Sequence, residues 1–136
     1  MTSPSQTPTP VPPLAQALGE FDLIERYFKS RFALERKDLP LGIGDDCALM
    51  SLPADQDLAV SSDVLVEGTH FFADVDPYAL GHKSLAVNLS DLAACGARPK
   101  AFTLALTLPT LEASWLEAFS SGLHALAQQY DCALIG

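Results

Sequence analysis

The stretch Asp76-Pro77-Tyr78-Ala79-Leu80-Gly81-His82-Lys83-Ser84-Leu85-Ala86-Val87-Asn88-Leu89-Ser90-Asp91-Leu92-Ala93-Ala94-Cys95-Gly96 decides the fold. Its start is an aspartate that can accept a backbone N–H, followed by proline, whose fixed φ and missing N–H suit the first helical position. Its end is a glycine able to take the left-handed conformation that closes a helix, with Pro99 beyond it. Within these limits Leu85, Leu89 and Leu92 form a packing stripe, and Ser84, Asn88, Asp91 and Cys95 form a second stripe beside it. That second stripe holds no Lys, Glu or Arg, the residues that usually cover a solvated face. Short polar side chains are poor helix formers. Their presence here points to a partly buried polar face, where a lone carboxylate is costly and a cation offsets the cost.

The pattern downstream alternates. Ala101 to Leu108 reads as a strand with threonines at alternate positions, and Thr110 is placed to cap a third helix. Trp115, Phe119, Leu123, Leu126 and Tyr130 share one face of that helix, and Cys132 to Ile135 reads as a buried strand. Upstream, Phe21, Ile24, Tyr27 and Phe28 recur at helical spacing in a short helix ending near Phe32. A breaker-rich loop over Glu35 to Asp46 follows. Cys47 to Leu52 and Asp57 to Ser62 read as two strands joined by the turn Pro53-Ala54-Asp55-Gln56, a hairpin. The expected fold is α/β (α+β): a mixed β-sheet with helices packed on one face. Residues 1–17 read as a disordered tail rich in Pro, Ser and Thr, and 18–136 as one domain.

Composition narrows the function. The 136 residues are 49% hydrophobic and 18% charged, which is globular, and the net charge is −9. No basic patch is present, which argues against a nucleic-acid partner. The longest apolar run is far too short to span a bilayer. Cys47, Cys95 and Cys132 form no CxxC pair and fit a reducing cytoplasm. Between Asp45 and Asp91 nine acidic residues stand against Lys83 alone, so this window holds nearly all the net charge. Asp45-Asp46 ends a glycine loop, where adjacent carboxylates repel unless a cation intervenes. Ser61-Ser62-Asp63 is a cluster of hard oxygen donors of the kind Mg²⁺ prefers, and equally a plausible local turn cap. His70, beside aromatic residues, reads as structural or as a contact. No nucleophile and acid–base set is evident, and GxxxxGK[ST] is absent, so any nucleotide is not held by a P-loop.

Several segments in order resemble the thiamine-monophosphate kinase family, within the aminoimidazole-ribonucleotide-synthetase-like superfamily. They are Gly19-Glu20-Phe21-Asp22-Leu23-Ile24, Gly42-Ile43-Gly44-Asp45-Asp46-Cys47-Ala48, Ser61-Ser62-Asp63, Gly68-Thr69-His70-Phe71 and Lys83 through Ala97. The resemblance covers residues 18 to 136. It implies the N-terminal ATP-binding domain of such an enzyme, transferring the ATP γ-phosphoryl group to thiamine monophosphate to give thiamine diphosphate. It further implies several Mg²⁺ ions at Asp46, Ser61, Ser62, Asp63 and Asp91, a substrate contact at His70, a role behind the metal for Asp45, and a homodimer. No catalytic residue in the covalent or acid–base sense is implied. The family continues past Gly136 with a G-G-D-T-type motif and a C-terminal domain, so this chain alone is expected to have little kinase activity. Two alternatives stay open: another ATP-dependent enzyme of the superfamily, and a non-catalytic dimerising or Mg²⁺-binding module.

Overall fold

The computed structural model describes residues 19–33 and 35–136. The expectation of a disordered tail over 1–17 lies outside them. The element order is α1 (Glu20–Leu23) continuing into a π-helical turn (Ile24–Lys29), then α2 (Pro77–Ala94), β1 (Ala101–Phe102), α3 (Ala113–Gln129) and β2 (Ala133–Leu134).

Helix α2 forms as its sequence predicts. Asp76 caps it, its carboxylate accepting from the Tyr78 N–H at 2.8 Å, with Pro77 at the first helical position. Gly96, at φ +68°, closes it: the Ala97 N–H reaches the Leu92 carbonyl at 2.8 Å and the Gly96 N–H reaches Ala93 at 3.0 Å. This pair of bonds satisfies carbonyls that the helix end leaves open. Helix α3 ends by the same bonding without a glycine. Asp131 takes φ +49°, and the Cys132 N–H bonds the Ala127 carbonyl at 2.9 Å.

The two long helices cross against each other. The contact is set by two glycines used reciprocally. A Cβ on Gly81 would lie 2.0 Å from the Phe119 carbonyl oxygen, and one on Gly122 would lie 2.0 Å from that of Tyr78. Around this crossing Leu85, Leu116, Phe119, Leu123 and Leu126 are buried, joined by Tyr27 and Phe28 from the first helix and by Phe32 just beyond it. Burial of such side chains contributes roughly 1.5–3 kcal/mol each.

Strands β1 and β2 pair in parallel, Ala101 with Ala133 and Phe102 with Leu134. Helix α3 is the crossover that parallel pairing needs. The ladder continues past the strand ends, the Ile135 N–H bonding Phe102 at 2.9 Å and the Leu104 N–H bonding Gly136 at 2.8 Å. Beyond Phe102, side chains at 104, 106 and 108 pack toward the core while 103, 105 and 107 are exposed, so the expected strand alternation persists where the pairing does not.

The α/β class holds, with corrections of detail. The sheet among the described residues is the parallel pair β1–β2. The expected hairpin over 47–62 does not form. Its turn is present, with the Gln56 N–H bonding Pro53 at 3.2 Å. Its arms go elsewhere. Leu49 bridges back to Leu41 and the Ser51 N–H bonds Asp38, while residues 56–66 carry no strand. A ladder needs an apolar face to bury, and here Val60 and Val64 are 80% and 73% exposed. The cap of α3 is Glu112 rather than Thr110, and its side chain makes no capping bond. The first helix widens to π geometry, and Phe21, expected on the packing face, is exposed.

Candidate functional site

The centre of the candidate site is a contact between residues 30 apart in sequence. The Ser61 hydroxyl donates to Asp91 Oδ2 at 3.0 Å. Asp91 is presented by α2, whose capped ends fix where its last turn lies. Ser61 sits half-buried at the start of the Ser61-Ser62-Asp63 run, while Ser62 and Asp63 are exposed. The contact presents two hard oxygens, a carboxylate and a hydroxyl, and leaves the second carboxylate oxygen of Asp91 open. One turn before Asp91, the side-chain oxygen of Asn88 is buried with no hydrogen-bond partner among the described residues. This donor set fits a hard cation such as Mg²⁺, which takes one or two carboxylates from protein and fills its remaining positions with water and phosphate oxygens.

His70 lies on an exposed turn. Gly68, at φ +76°, allows that turn, and the Gly68 N–H bonds the Phe71 carbonyl at 2.8 Å. The imidazole Nδ1 accepts from the Val66 N–H at 3.0 Å. Nδ1 is therefore the unprotonated nitrogen of the neutral ring, and Nε2–H faces outward as a donor. Lys83, the one basic side chain of the acidic window, donates from Nζ to the His70 carbonyl at 2.5 Å and ties the turn to α2. The sequence marked Lys83 only as an isolated charge; that isolation was the available signal.

Asp46 is exposed on the loop after Gly44. Its own N–H is held by Asp45 Oδ1 at 2.9 Å, which gives Asp45 a local supporting role. Gly44 stands at φ +106°, and a Cβ there would meet Lys29 Nζ at 3.2 Å. A cavity of about 240 Å³ opens beside this loop, lined by Lys29, Gly42, Ile43 and the end of β2. The structure thus joins Ser61 to Asp91. Among the described residues no group of three His, Cys, Asp or Glu side chains is arranged to hold one metal ion, and Asp46 and Asp63 are not drawn into such a cluster.

One device that the sequence did not reveal supports the loop from below. The Arg36 guanidinium bonds Asp38 through Nε at 3.0 Å and Nη2 at 2.6 Å, and its Nη1 donates to the carbonyls of Lys100 and Asp131. The hydrogen bond to Arg36 holds the Asp38 carboxyl below the usual carboxylate range. An arginine in a loop gives no sequence signal of what it will bridge.

The sequence of residues 44–136 matches the family described as AIR synthase related protein, N-terminal domain. The chain belongs to this family. Within the AIR synthase related family, "Thiamine-monophosphate kinase" of Salmonella typhimurium is 58% identical over 120 residues, covering 88% of this chain and 37% of that protein. The protein of the same name from Methanocaldococcus jannaschii is 31% identical over 121 residues, covering 88% of this chain and 38% of its own. The crystal structure of thiamine-monophosphate kinase from Stenotrophomonas maltophilia K279a superposes with a TM-score of 0.74 at 52% identity, covering 87% of this chain and 37% of that one. The chain therefore spans little more than a third of the length of these relatives. No helix among the described residues is long and apolar enough to cross a membrane.

Proposed function

We propose that residues 18–136 are the N-terminal, cation- and nucleotide-binding portion of an ATP-dependent kinase of thiamine monophosphate. The reading is supported by the likeness to proteins of that name, and the observation that carries it is the Ser61–Asp91 contact on α2. In the reaction the bond from the ATP β,γ-bridging oxygen to the γ-phosphorus breaks. A phosphate oxygen of thiamine monophosphate bonds to that phosphorus, giving ADP and thiamine diphosphate. The attacking oxygen belongs to a phosphate monoester whose second ionisation lies near pH 6, so no protein base is required. Consistently, no catalytic residue is assigned.

Asp46, Ser61, Ser62, Asp63 and Asp91 would hold Mg²⁺. Bound Mg²⁺ supplies charge neutralisation between these carboxylates and the phosphates and steadies the charge that spreads over the transferred group. The chain's own part is orientation. Asp91 is fixed by α2, Ser61 is fixed by Asp91, and the Lys83 bond holds the His70 turn so that Nε2–H can donate to the substrate. Positioning of this kind supplies much of the rate in phosphoryl transfer.

The exposed apolar side chains over 49–72, among them Val60, Val64 and Phe72, are the surface a second copy would cover in a homodimer. Cytoplasmic residence fits three free thiols, two of them exposed. The test is turnover. The full-length protein with ATP, Mg²⁺ and thiamine monophosphate is expected to yield ADP and thiamine diphosphate in equal amounts, and Asp63→Asn to lower kcat at least about 100-fold. Phosphorylation of a different small anion, with thiamine monophosphate untouched, would assign the chain to another activity of the family.

A further inference from the structure

Val66 and His70 are joined twice across the turn that carries the imidazole. The His70 N–H bonds the Val66 carbonyl at 2.8 Å, and the Val66 N–H bonds His70 Nδ1 at 3.0 Å. Any residue at position 70 could make the first bond. The second needs a lone pair on Nδ1, because a backbone N–H can only donate. Neutral imidazole has that lone pair. Imidazolium carries a proton on both nitrogens and would set two donors against each other. The remaining closures of the turn do not involve the ring. The Gly68 N–H bonds the Phe71 carbonyl at 2.8 Å, the Thr69 N–H bonds that of Val66 at 3.2 Å, and Lys83 Nζ holds the His70 carbonyl from α2. The titratable side chains on the turn, on the segment after it and on the first turns of α2 are Glu67, Asp74, Asp76, Tyr78, His82 and Lys83. Of these types only imidazole changes charge between about pH 5 and 8. Val66 and His70 are both exposed, so solvent can supply the proton and can take over the released N–H.

We propose that the turn over 66–71 is an acid-released latch for the His70 ring. With the ring neutral, Nδ1 holds the Val66 N–H and Nε2–H is fixed facing outward. When Nδ1 takes a proton from solvent, the Val66 bond is lost, that N–H passes to water, and the ring leaves its place. The backbone bonds and Lys83 keep the turn itself closed. The direction of the Nε2–H donor is therefore set only while the ring is neutral. The latch stands on the geometry of the turn and not on what His70 binds, so it survives or fails apart from the proposed kinase activity.

The experiment is a nuclear magnetic resonance titration of the full-length protein, labelled with ¹⁵N in valine and histidine, from pH 8 to pH 5. It follows the His70 ring nitrogens and the protection of the Val66 amide, its exchange rate divided into the rate of a free amide at the same pH. At pH 8 the ring is expected in the Nε2–H form with the Val66 amide protected. On acidification the protection should fall about 3–10-fold, with the midpoint of the His70 ring. His70→Asn places an amide oxygen near the position of Nδ1, and that oxygen accepts at every pH, so protection should stay and the step should vanish. His70→Ala should show low protection throughout, with thermal melting confirming that it folds, and His82→Asn should leave the step in place. A ring in the Nδ1–H form at pH 8 overturns the latch. So does Val66 protection that ignores the His70 midpoint, a step that persists in His70→Asn, or full protection at pH 8 in His70→Ala.

Discussion

The α2–α3 crossing and the segment over 49–72 are made of similarly apolar sequence and behave in opposite ways. At the crossing, Gly81 and Gly122 let two backbones meet, and Leu116 and Leu123 are 1% exposed. Along 49–72, Leu58, Val60, Val64 and Phe72 face outward, and residues 56–66 have no regular element. The first region satisfies itself by contacts within one short stretch of fold. The second holds Ser61, Ser62, Asp63 and His70, and touches the first through the Ser61–Asp91 and Lys83–His70 bonds. The paired helices provide the frame, and an open segment is laid on them by two side-chain bonds.

The largest expected difference between the two regions is steric. Gly122→Val would drive a side chain into the Tyr78 carbonyl and should cost at least about 3 kcal/mol, enough to unfold much of the chain in a thermal melt. Val60→Ser, in the open segment, should change stability by less than about 0.5 kcal/mol. Equal losses at both positions would erase the contrast.

A smaller effect probes the loop support. Arg36→Met removes the donors held by Asp38, Lys100 and Asp131, and should lower the urea midpoint. Part of that stability is acid-sensitive. The Asp38 carboxyl is depressed in the folded chain, so its contribution is present above the ordinary aspartate range, near pH 4, and is lost as pH falls below it. Arg36→Met should flatten the stability curve there.

Thiol chemistry sharpens the comparison at lower cost. Cys47 and Cys95 are exposed, whereas Cys132 is buried beside α3 and its thiol is pushed up to about 11 by burial. At pH 8 a disulfide reagent should modify Cys47 and Cys95 quickly and Cys132 only on unfolding.

The smallest expected effect is at His124. Burial, with the Arg31 charge nearby, lowers its imidazole, which packs edge-on to Phe32 at 4.9 Å. The unfolded chain takes up a proton near pH 6.5 that the folded chain resists, so this contribution is present above that pH and fades as pH falls. The melting midpoint should drop between pH 7.5 and 5.5 by no more than about 4 °C, and His124→Phe should remove that part of the slope.

What could be read from the chain was local. Asp76-Pro77 and Gly96 define α2 because a cap and a left-handed stop act within a few residues. The face of α3 through Phe119, Leu123 and Leu126 followed from spacing, while Tyr130, expected on the same face, lies past the helix end and is exposed. The expected hairpin over 47–62 does not form because a strand exists only with a partner: the first arm bonds Leu41 and Asp38, and the second arm has no ladder. The end of α3 was hidden because Asp131, not glycine, takes the left-handed turn. Of the polar stripe on α2, the helical spacing was legible but its burial was not: Ser84 and Asn88 are half-buried, whereas Asp91 and Cys95 are exposed. The meeting of Ser61 with Asp91 was not legible either, since it depends on how a segment 30 residues away is laid against the helix. The Asn88 oxygen was visible as a residue but not as an orphan.

The most direct measurement is paramagnetic broadening of backbone amide signals on titrating Mn²⁺ into the isotope-labelled protein. The account predicts early, selective loss of the signals of Asp46, Ser61, Ser62, Asp63 and Asp91, with those around Gly81 and Gly122 persisting. Broadening that instead centres on Glu67, Asp74 and Asp76, or spreads evenly over all the exposed carboxylates, would contradict it.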